Sequence, residues 1–399
     1  MMNTERSYVL KPLVLGLIMI VTGSINTIAA KWADNMKVDG KYFNHPFVQA
    51  ICMFIGELFC LFAYVISNCI RNHRDQMASV NNGERSGSGI STHISEQNFL
   101  KFNPWLFVAP ALCDVLATSI MYIGLNLTQA SSFQMLRGAV IIFTGLFSVA
   151  FLRSYLQGFR WLGMGFVTVG LVIVGVSDII FDKNSKHDIN GIITGFKTNV
   201  AHETMIGIFC LLNLEHFLPH SGDLLIIIAQ IIVAIQMVIE QKIITEFNVP
   251  PLLVVGLEGF FGLTILLFLL FPMYFIKVPS IFSTNPYHRL EDVFDAFREV
   301  KDNPWIGVAL MLTVISIAFF NFAGVSVTKE LSATTRMVLD SVRILLIWLV
   351  SIPLFGEHFI PLQVLPLITN NQLASCCMSF CGIYLVTMDH TVLVEDGSE

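Results

Sequence analysis

The sequence predicts an all-α integral membrane protein with about ten transmembrane helices in two inverted five-helix repeats. The first observation is composition: the 399 residues are 54% hydrophobic and 13% charged, about half the charged fraction of soluble domains. The second is a series of long apolar segments without strict alternation, which favours helices over an outer-membrane β-barrel. The third is an internal repeat, a sequence feature typical of secondary transporters.

Ten segments are candidate spanning helices, because each holds about 20 mostly apolar residues. They lie near 9–30, 46–70, 104–125, 131–152, 160–181, 222–243, 251–276, 305–327, 333–355 and 361–388. The first is followed by Lys31 and Trp32 rather than by small residues, so we interpret it as a membrane helix and not as a cleaved signal. The last contains Pro361, Pro366 and three amides at 370–372, and is therefore expected to be kinked, displaced or absent.

The repeat is marked by Asn103-Pro104-Trp105, which recurs 200 residues later as Asn303-Pro304-Trp305. The two copies share nine identities between 103 and 132, and Gly124 matches Gly324. Because each half has an odd number of predicted helices, the second would enter the membrane from the opposite face, with a shared cavity near the midplane. The predicted division is 9–181 for the first repeat, 182–221 for a linker or insertion, 222–388 for the second repeat and 389–399 for a tail.

Polar stretches separate these segments. Residues 277–304 carry Leu290, Phe294, Phe297 and Val300 at near-helical spacing between acidic residues, which predicts a short amphipathic helix on the membrane surface. This helix either packs over its own domain or forms a docking site. All eight cysteines lie in apolar segments, so we expect reduced thiols rather than structural disulfides.

Charged side chains inside the membrane are the candidate functional residues. A charge at bilayer depth costs at least ~2.5 kcal/mol, so each one needs a partner or a role. We assign four carboxylates and three arginines to the interior of the predicted helices: Glu57, Asp114, Glu258, Asp340, Arg137, Arg336 and Arg343.

Arg336, Asp340 and Arg343 are spaced by four and three residues, which places them on one helical face. Asp340 either neutralises both arginines in an intrahelical ladder or leaves one arginine to bind substrate. Arg336 is closer to the helix end, from which it could also reach the interface. Arg137 follows Gln134 by three residues, and either pairs with an acidic residue of the first half, Asp114 or Glu57, or lines the cavity.

The predicted substrate-binding residues are Arg137, Asp340, Arg343, Gln134, Asn321 and Asn26. For the two asparagines, a helix–helix hydrogen bond is the alternative role. Glu57, Asp114 and Glu258 are the proton-coupling candidates, because a low dielectric disfavours the charged form of a carboxyl group. Glycines at 256, 259 and 262 flank Glu258 and predict a close approach of a neighbouring helix.

Enzyme functions are not supported by the motifs. His202-Glu203 begins like a zinc-protease helix, but Ile206 occupies the position of the second histidine. Neither Asp114 nor Asp340 lies in a glycine-flanked motif, and we find no phosphate-binding glycine loop. The sequence therefore predicts no catalytic residue, no metal site and no cofactor.

Several segments carry a family resemblance, including TGSINTIAAKWADN (22–35), HPFVQAICMFIGE (45–57) and FFNFAGVSVTKELSATTRMVLDSVR (319–343). Two further segments, 127–149 and 222–242, carry the same family resemblance. The chain resembles the drug/metabolite transporter superfamily, and within it solute carrier family 35, subfamily F. The resemblance implies ten helices in two inverted repeats around a central cavity. It also implies an internal membrane, lysosomal or other endomembrane, with a mitochondrial membrane as the alternative.

These observations predict a multipass secondary transporter that moves a small polar metabolite across an intracellular membrane by alternating access. Relatives in family 35 carry nucleotide sugars, but four acids against three bases inside the membrane weaken the case for an anionic substrate. The alternative function is a non-transporting membrane adaptor that acts through its loops, chiefly 277–304. The expected partners are a small-molecule substrate, the lipid bilayer and a second copy or another membrane protein, with no nucleic acid.

Overall fold

The computed structural model describes residues 2–38, 40–81, 103–127, 136–152, 161, 221–278, 289–337, 339–340 and 343, and these residues are mainly helical. The elements are α1 (Met2–Asn35), β1 (Lys37–Val38), β2 (Lys41–Tyr42), α2 (Pro46–Asn81), a 3₁₀ turn (Pro104–Phe107), α3 (Val108–Leu127), α4 (Ala139–Leu152), α5 (Ser221–Phe247), α6 (Pro251–Phe275), α7 (Val293–Asp302) and α8 (Pro304–Glu330). The two strands pair as a small antiparallel hairpin. Residues 333–337 are also helical.

Six helices in the described part are long and apolar enough to cross a membrane. These spans are Lys11–Asn35, Pro46–Arg74, Pro104–Gly124, Leu224–Phe247, Pro251–Phe275 and Pro304–Glu330. They coincide with six of the ten predicted segments, and α4 is a shorter apolar helix within the predicted segment 131–152. The segments 160–181 (apart from residue 161) and 361–388, most of 333–355, the insertion at 182–220 and the tail lie outside the described residues. The count of ten and the division into two repeats therefore stay predictions.

The spanning helices carry apolar side chains on both their inner and their outer faces. Leu17 on α1, Phe62 on α2 and Phe268 on α6 are each more than half exposed, whereas Met19 and Phe54 on the same helices are buried. A helix that is apolar all round either lies inside a large protein or spans a membrane. Within the bundle α1 packs on α8, α2 on α6 and α8, α3 on α5 and α6, and α4 on α5.

Glycines bring α2 and α6 into close contact. Gly256, Gly259 and Gly262 lie on the face of α6 that meets Phe54, Glu57, Leu58 and Leu61 of α2. A Cβ atom at Gly256 would lie 2.6 Å from the Cα of Leu61, closer than real Cβ atoms pack. The missing side chains therefore allow the two backbones to approach, and the close approach predicted around Glu258 is confirmed.

The two Asn-Pro-Trp sequences share the same capping hydrogen bond, although the first opens a 3₁₀ turn and the second starts an α-helix directly. Asn103 Oδ1 accepts a hydrogen bond from the Trp105 N–H at 3.1 Å, and Asn303 Oδ1 accepts one from the Trp305 N–H at 3.2 Å. In both copies the asparagine caps the helix start and proline occupies its first turn, where its missing N–H costs nothing.

These two turns lie at opposite ends of the bundle. Phe107 packs with Val249 and Val254 at the start of α6. The end of α6 lies near α7, where the rings of Tyr274 and Phe294 are 5.9 Å apart, and α8 begins two residues after α7 ends. Opposite placement of the two turns is what an inverted repeat requires.

The amphipathic helix predicted within 277–304 is present as α7. The Asp292 carboxylate caps it by accepting hydrogen bonds from the N–H groups of Phe294 and Asp295. Ala296 is buried against the bundle, whereas Phe294 and Phe297 are 74% and 70% exposed. In the described part of the chain the cysteines at 52, 60, 69 and 113 are free thiols.

Candidate functional site

Four carboxylates from four helices converge inside the bundle. Glu57 of α2, Asp114 of α3, Glu240 of α5 and Glu258 of α6 lie within electrostatic range of one another and of Arg336. Glu57 is 4% exposed and Glu240 is fully buried. We call these four carboxylates and Arg336 the acidic cluster.

Hydrogen bonds from other side chains hold three of the four carboxylates. Arg336 Nη1 donates to Glu240 Oε1 at 2.9 Å, which pairs the segment after α8 with α5. Asn321 Nδ2 donates to Glu57 Oε1 at 2.5 Å, and Thr118 Oγ1 donates to Asp114 Oδ1 at 3.5 Å. Among the described residues, buried Glu240 Oε2 and Glu258 Oε1 have no hydrogen-bond partner.

The acidic cluster has more negative than positive charge. With every group ionised, four carboxylates and one guanidinium would leave a formal charge of −3. Unpaired charge is strongly disfavoured in a low-dielectric interior. Protons or a cation bound by the carboxylates would offset this negative charge.

A second group, the basic cluster, comprises Arg137, Asp340 and Arg343. Arg343 Nε lies 2.8 Å from Asp340 Oδ1, and Arg343 Nη2 donates to Asp340 Oδ2 at 3.1 Å. The guanidinium also lies 4.8 Å from the centre of the Phe320 ring. Arg137 lies within electrostatic range of both Asp340 and Arg343. Two arginines and one aspartate leave this group with a formal charge of +1.

Gly23 of α1 makes room for the basic cluster. A Cβ atom there would overlap Arg343 Cδ and the Phe320 ring. Arg343 Nη1 donates to the Gly23 carbonyl oxygen at 3.4 Å and to Thr27 Oγ1 at 3.5 Å. The glycine therefore lets a buried guanidinium lie directly against the α1 backbone.

The structure corrects the ladder predicted on one helical face. Arg336 pairs with Glu240 of another helix, whereas Asp340 pairs with Arg343. Arg336 is only 5% exposed, so the expectation that it reaches the interface is wrong. A buried arginine needs an anionic partner, and the packing of α5 supplies Glu240.

Both asparagines predicted as substrate-binding residues make hydrogen bonds between helices, and their substrate-binding role stays a prediction. Ser316 Oγ donates to Asn26 Oδ1 at 3.4 Å, so Asn26 joins α1 to α8 as a helix–helix partner. Asn321 joins α8 to α2 in the same way, through its hydrogen bond to Glu57 of the acidic cluster. Gln134 lies outside the described residues.

Glu240 is the member that the sequence analysis missed. It lies near the end of the predicted helix 222–243 and is followed by Gln241 and Lys242, a pattern typical of a helix end at the membrane interface. Lys242 is exposed while Glu240 is buried. The sequence does carry one signal. Side chains two residues apart on a helix point to different sides, so Lys242 can reach the helix surface while Glu240 faces the interior of the bundle.

Outside both clusters, one group among the described residues could hold a metal ion: His45, Asp295 and Glu299. It lies where the start of α2 meets α7. Burial alone lowers the pKa of His45, but the hydrogen bond to Glu291 and the charges of Glu291 and Glu299 outweigh this effect and raise the pKa to about 9. Burial, together with the charge of Glu299, raises the pKa of Asp295.

Comparison with known proteins agrees with this membrane architecture. Residues 6–261 match the family described as Nucleotide-sugar transporter. The chain is 49% identical over 359 residues to human solute carrier family 35 member F6, covering 88% of this chain and 85% of the relative. The rat protein of the same name is 48% identical, covering 88% and 84%. An uncharacterised protein of Schizosaccharomyces pombe is 28% identical, covering 88% and 93%.

The family match covers more than half of the chain, and the human and rat relatives share nearly half of its residues over most of its length. The resemblance predicted from the sequence segments is confirmed by these relatives. The chain therefore belongs to the nucleotide-sugar transporter family, and within it is similar to solute carrier family 35 member F6.

Proposed function

We propose that this chain is a secondary transporter that moves a small polar metabolite across an intracellular membrane by alternating access. In this proposal the acidic cluster carries coupled protons, and the basic cluster orients polar or anionic groups of the substrate. Membership of a transporter family supports membrane transport in general. The observation that carries the finer proposal is the convergence of four buried carboxylates from four helices on one arginine.

The acidic cluster supports coupling because its members lie on different helices. When its carboxyl groups lose protons, like-charge repulsion between α2, α3, α5 and α6 increases, while attraction to Arg336 also increases. Protonation therefore changes the relative stability of different helix arrangements. A ligand shifts a conformational equilibrium only by binding one state more tightly than another, and protons bound here would do so.

The basic cluster supports recognition of a substrate that carries a negative or polar group. A guanidinium binds carboxylate and phosphate groups in planar, bidentate geometry, and Arg343 and Arg137 lie close enough to act together. Nucleotide sugars, named in the family description, are one class with such groups. The neighbouring acidic cluster opposes a highly anionic substrate, so we propose a metabolite with a single anionic or polar group.

Flux measured in liposomes tests the proposal. Purified protein would be reconstituted with a metabolite mixture inside, a pH gradient would be imposed, and the metabolites retained would be identified by mass spectrometry. We expect selective loss of one metabolite class that depends on the gradient. Arg137→Ala should abolish this loss, and Glu240→Gln should remove its dependence on the gradient.

Matched controls lie on exposed positions of the same protein. Glu246 and Lys242 are exposed on α5, so Glu246→Gln and Lys242→Ala should leave the flux unchanged. Folding of every variant would be checked by size-exclusion chromatography and thermal unfolding. If well-folded protein shows no flux under either gradient direction, the transporter proposal fails.

A membrane adaptor is the second candidate, favoured by the exposed Phe294 and Phe297 on α7. An adaptor should tolerate Arg137→Ala and Asp340→Ala but lose partner binding after Phe294→Ser with Phe297→Ser. A transporter should show the reverse. Affinity capture and flux measured on the same variants would separate the two functions.

We propose a lysosomal or other endomembrane location, with a mitochondrial membrane as the alternative. The support is the resemblance to solute carrier family 35, since the apolar spans specify a membrane without specifying which one. Fractionation of cells that express the tagged chain, with organelle marker proteins followed in parallel, distinguishes these locations.

A further inference from the structure

His45 is buried at the start of α2, and one side of its imidazole ring is already occupied. His45 Nδ1 lies 2.7 Å from Glu291 Oε1, and Glu291 Oε2 accepts a hydrogen bond from the Phe47 N–H at 3.0 Å. The side chains of His45 and Glu291 are 4% and 1% exposed. Glu291 therefore holds the ring in one orientation, with Nε2 directed away from it.

His45 Nε2 faces Glu299 of α7, and Asp295 of the same helix lies nearby. Asp295 and Glu299 are four residues apart and lie on one face of that helix. One ligand atom from each of His45, Asp295 and Glu299 lies within 4.8 Å of the others. His45 Nε2 is 3.6 Å from Glu299 Oε2, which is longer than a hydrogen bond.

This arrangement leaves a buried acceptor unused. Glu299 Oε2 is buried without a hydrogen-bond partner among the described residues, although such groups are normally paired. The His45 side chain that it faces is only 4% exposed. A separation of 3.6 Å between a nitrogen and an oxygen suits two ligands of one metal ion, because each would lie about 2.0–2.2 Å from it.

We infer that His45 Nε2, Asp295 and Glu299 form a binding site for a divalent transition-metal ion of the zinc class, with Glu291 orienting the imidazole. One ring nitrogen and two carboxylates are a ligand set that zinc accepts, with water in a remaining position. A carboxylate on the other ring nitrogen is the usual outer partner of a metal-bound histidine. Calcium is disfavoured, because it binds through oxygen ligands.

A bound ion would be coordinated by the neutral imidazole through Nε2. It would connect the start of α2, a spanning helix, with α7, which carries the exposed phenylalanines. The site is separate from both charged clusters, so this inference does not depend on the proposed transport function. Its role would be to hold α7 in place at one end of the bundle.

Isothermal titration of the purified full chain in detergent tests the site, with Zn²⁺ as the probe and Ca²⁺ as the comparison ion. Cys69 is an exposed thiol, so all variants would carry Cys69→Ser to remove a competing ligand. We expect one Zn²⁺ per chain, no comparable binding of Ca²⁺, and an increase in the thermal unfolding temperature with Zn²⁺. Glu299→Gln and Asp295→Asn should each lower the Zn²⁺ affinity at least tenfold.

Asp302→Asn is the matched control, because Asp302 lies on α7 and is exposed; its Zn²⁺ affinity should be unchanged. Glu291→Gln should weaken binding by about 10–100-fold, the usual effect of an outer-shell change. The Gln and Asn variants preserve side-chain size and would be checked for folding without metal. Absence of Zn²⁺ binding, or equal binding by Glu299→Gln and Asp302→Asn, would overturn the inference and leave an ordinary histidine–carboxylate contact.

Discussion

The carboxylates of the acidic cluster differ in how their charge is compensated. Glu240 has a guanidinium partner, Glu57 has an amide and Asp114 has a hydroxyl group. Glu258 Oε1 has no hydrogen-bond partner among the described residues. Arg336 supplies the positive charge that faces all four carboxylates. Substitutions in this cluster should therefore have unequal effects, and the arginine should matter most for stability.

We predict that Arg336→Met lowers the free energy of unfolding by about 3–5 kcal/mol, because it leaves buried carboxylates without their cation. Glu258→Gln should change it by less than about 1 kcal/mol or increase it, since an amide removes like-charge repulsion at little cost in volume. Thermal and denaturant unfolding in detergent, followed by circular dichroism, would measure both effects.

The comparison between these two variants carries its own control, because both remove one charge from the same cluster. If Arg336→Met and Glu258→Gln destabilise the protein equally, charge compensation by Arg336 does not stabilise the cluster. A loss of flux in Glu258→Gln without a loss of stability would support its proposed role in proton coupling.

The α2–α6 contact explains how two carboxylates come to face the interior together. Gly256, Gly259 and Gly262 allow α6 to lie directly on α2, and Glu57 and Glu258 lie on the two helices of this contact. A larger residue in the glycine series would separate the helices and displace both carboxylates. The packing of these helices and the geometry of the acidic cluster are therefore coupled.

Gly259→Ala should reduce the free energy of unfolding by about 1–3 kcal/mol, the usual cost of overpacking. Its Cβ atom would lie 2.7 Å from the backbone nitrogen of Leu58, and backbone cannot move aside as a flexible side chain can. The change should also impair flux in the liposome measurement. Unfolding and flux would be compared with those of the unmodified protein.

Gly307→Ala on α8 is the matched control. A Cβ atom there would meet only a side-chain methyl group of Val300, at 3.3 Å, and alanine favours a helix by roughly 0.5–1 kcal/mol over glycine. We expect this variant to be neutral or slightly stabilised. Equal destabilisation of both alanine variants would contradict the tight α2–α6 contact.

The molecule as a whole places its two similar helix starts at opposite ends. Phe107 packs with the start of α6, whereas Ile306 packs with Ala33 and Phe43 where α1 ends and the hairpin follows. The rings of Trp32 and Trp305 are 6.4 Å apart at the same end. Similar caps at opposite ends of the bundle are what the predicted inverted repeat requires.

This arrangement predicts the accessibility of introduced cysteines. In a background without other accessible cysteines, Trp105→Cys and Trp305→Cys should be labelled by a membrane-impermeant maleimide from opposite sides of sealed vesicles. Both tryptophans are exposed, at 72% and 63%. Labelling before and after permeabilisation of the vesicles would be compared by gel shift.

Lys37→Cys provides the reference, because Lys37 is exposed on β1 at the same end as Trp305. It should be labelled from the side that labels Trp305→Cys. Labelling of Trp105→Cys from that same side would contradict the inverted arrangement.

The sequence by itself determined the membrane class, the positions of six described spans, the helix α7 and the capped Asn-Pro-Trp turns. These features depend on hydrophobicity and on contacts within a few residues, which a linear pattern records. Only the tertiary structure decided the partners of the buried charges. Arg336 pairs with Glu240, 96 residues away, rather than with Asp340, four residues away, because buried charges pair with whatever group the packing of helices brings near.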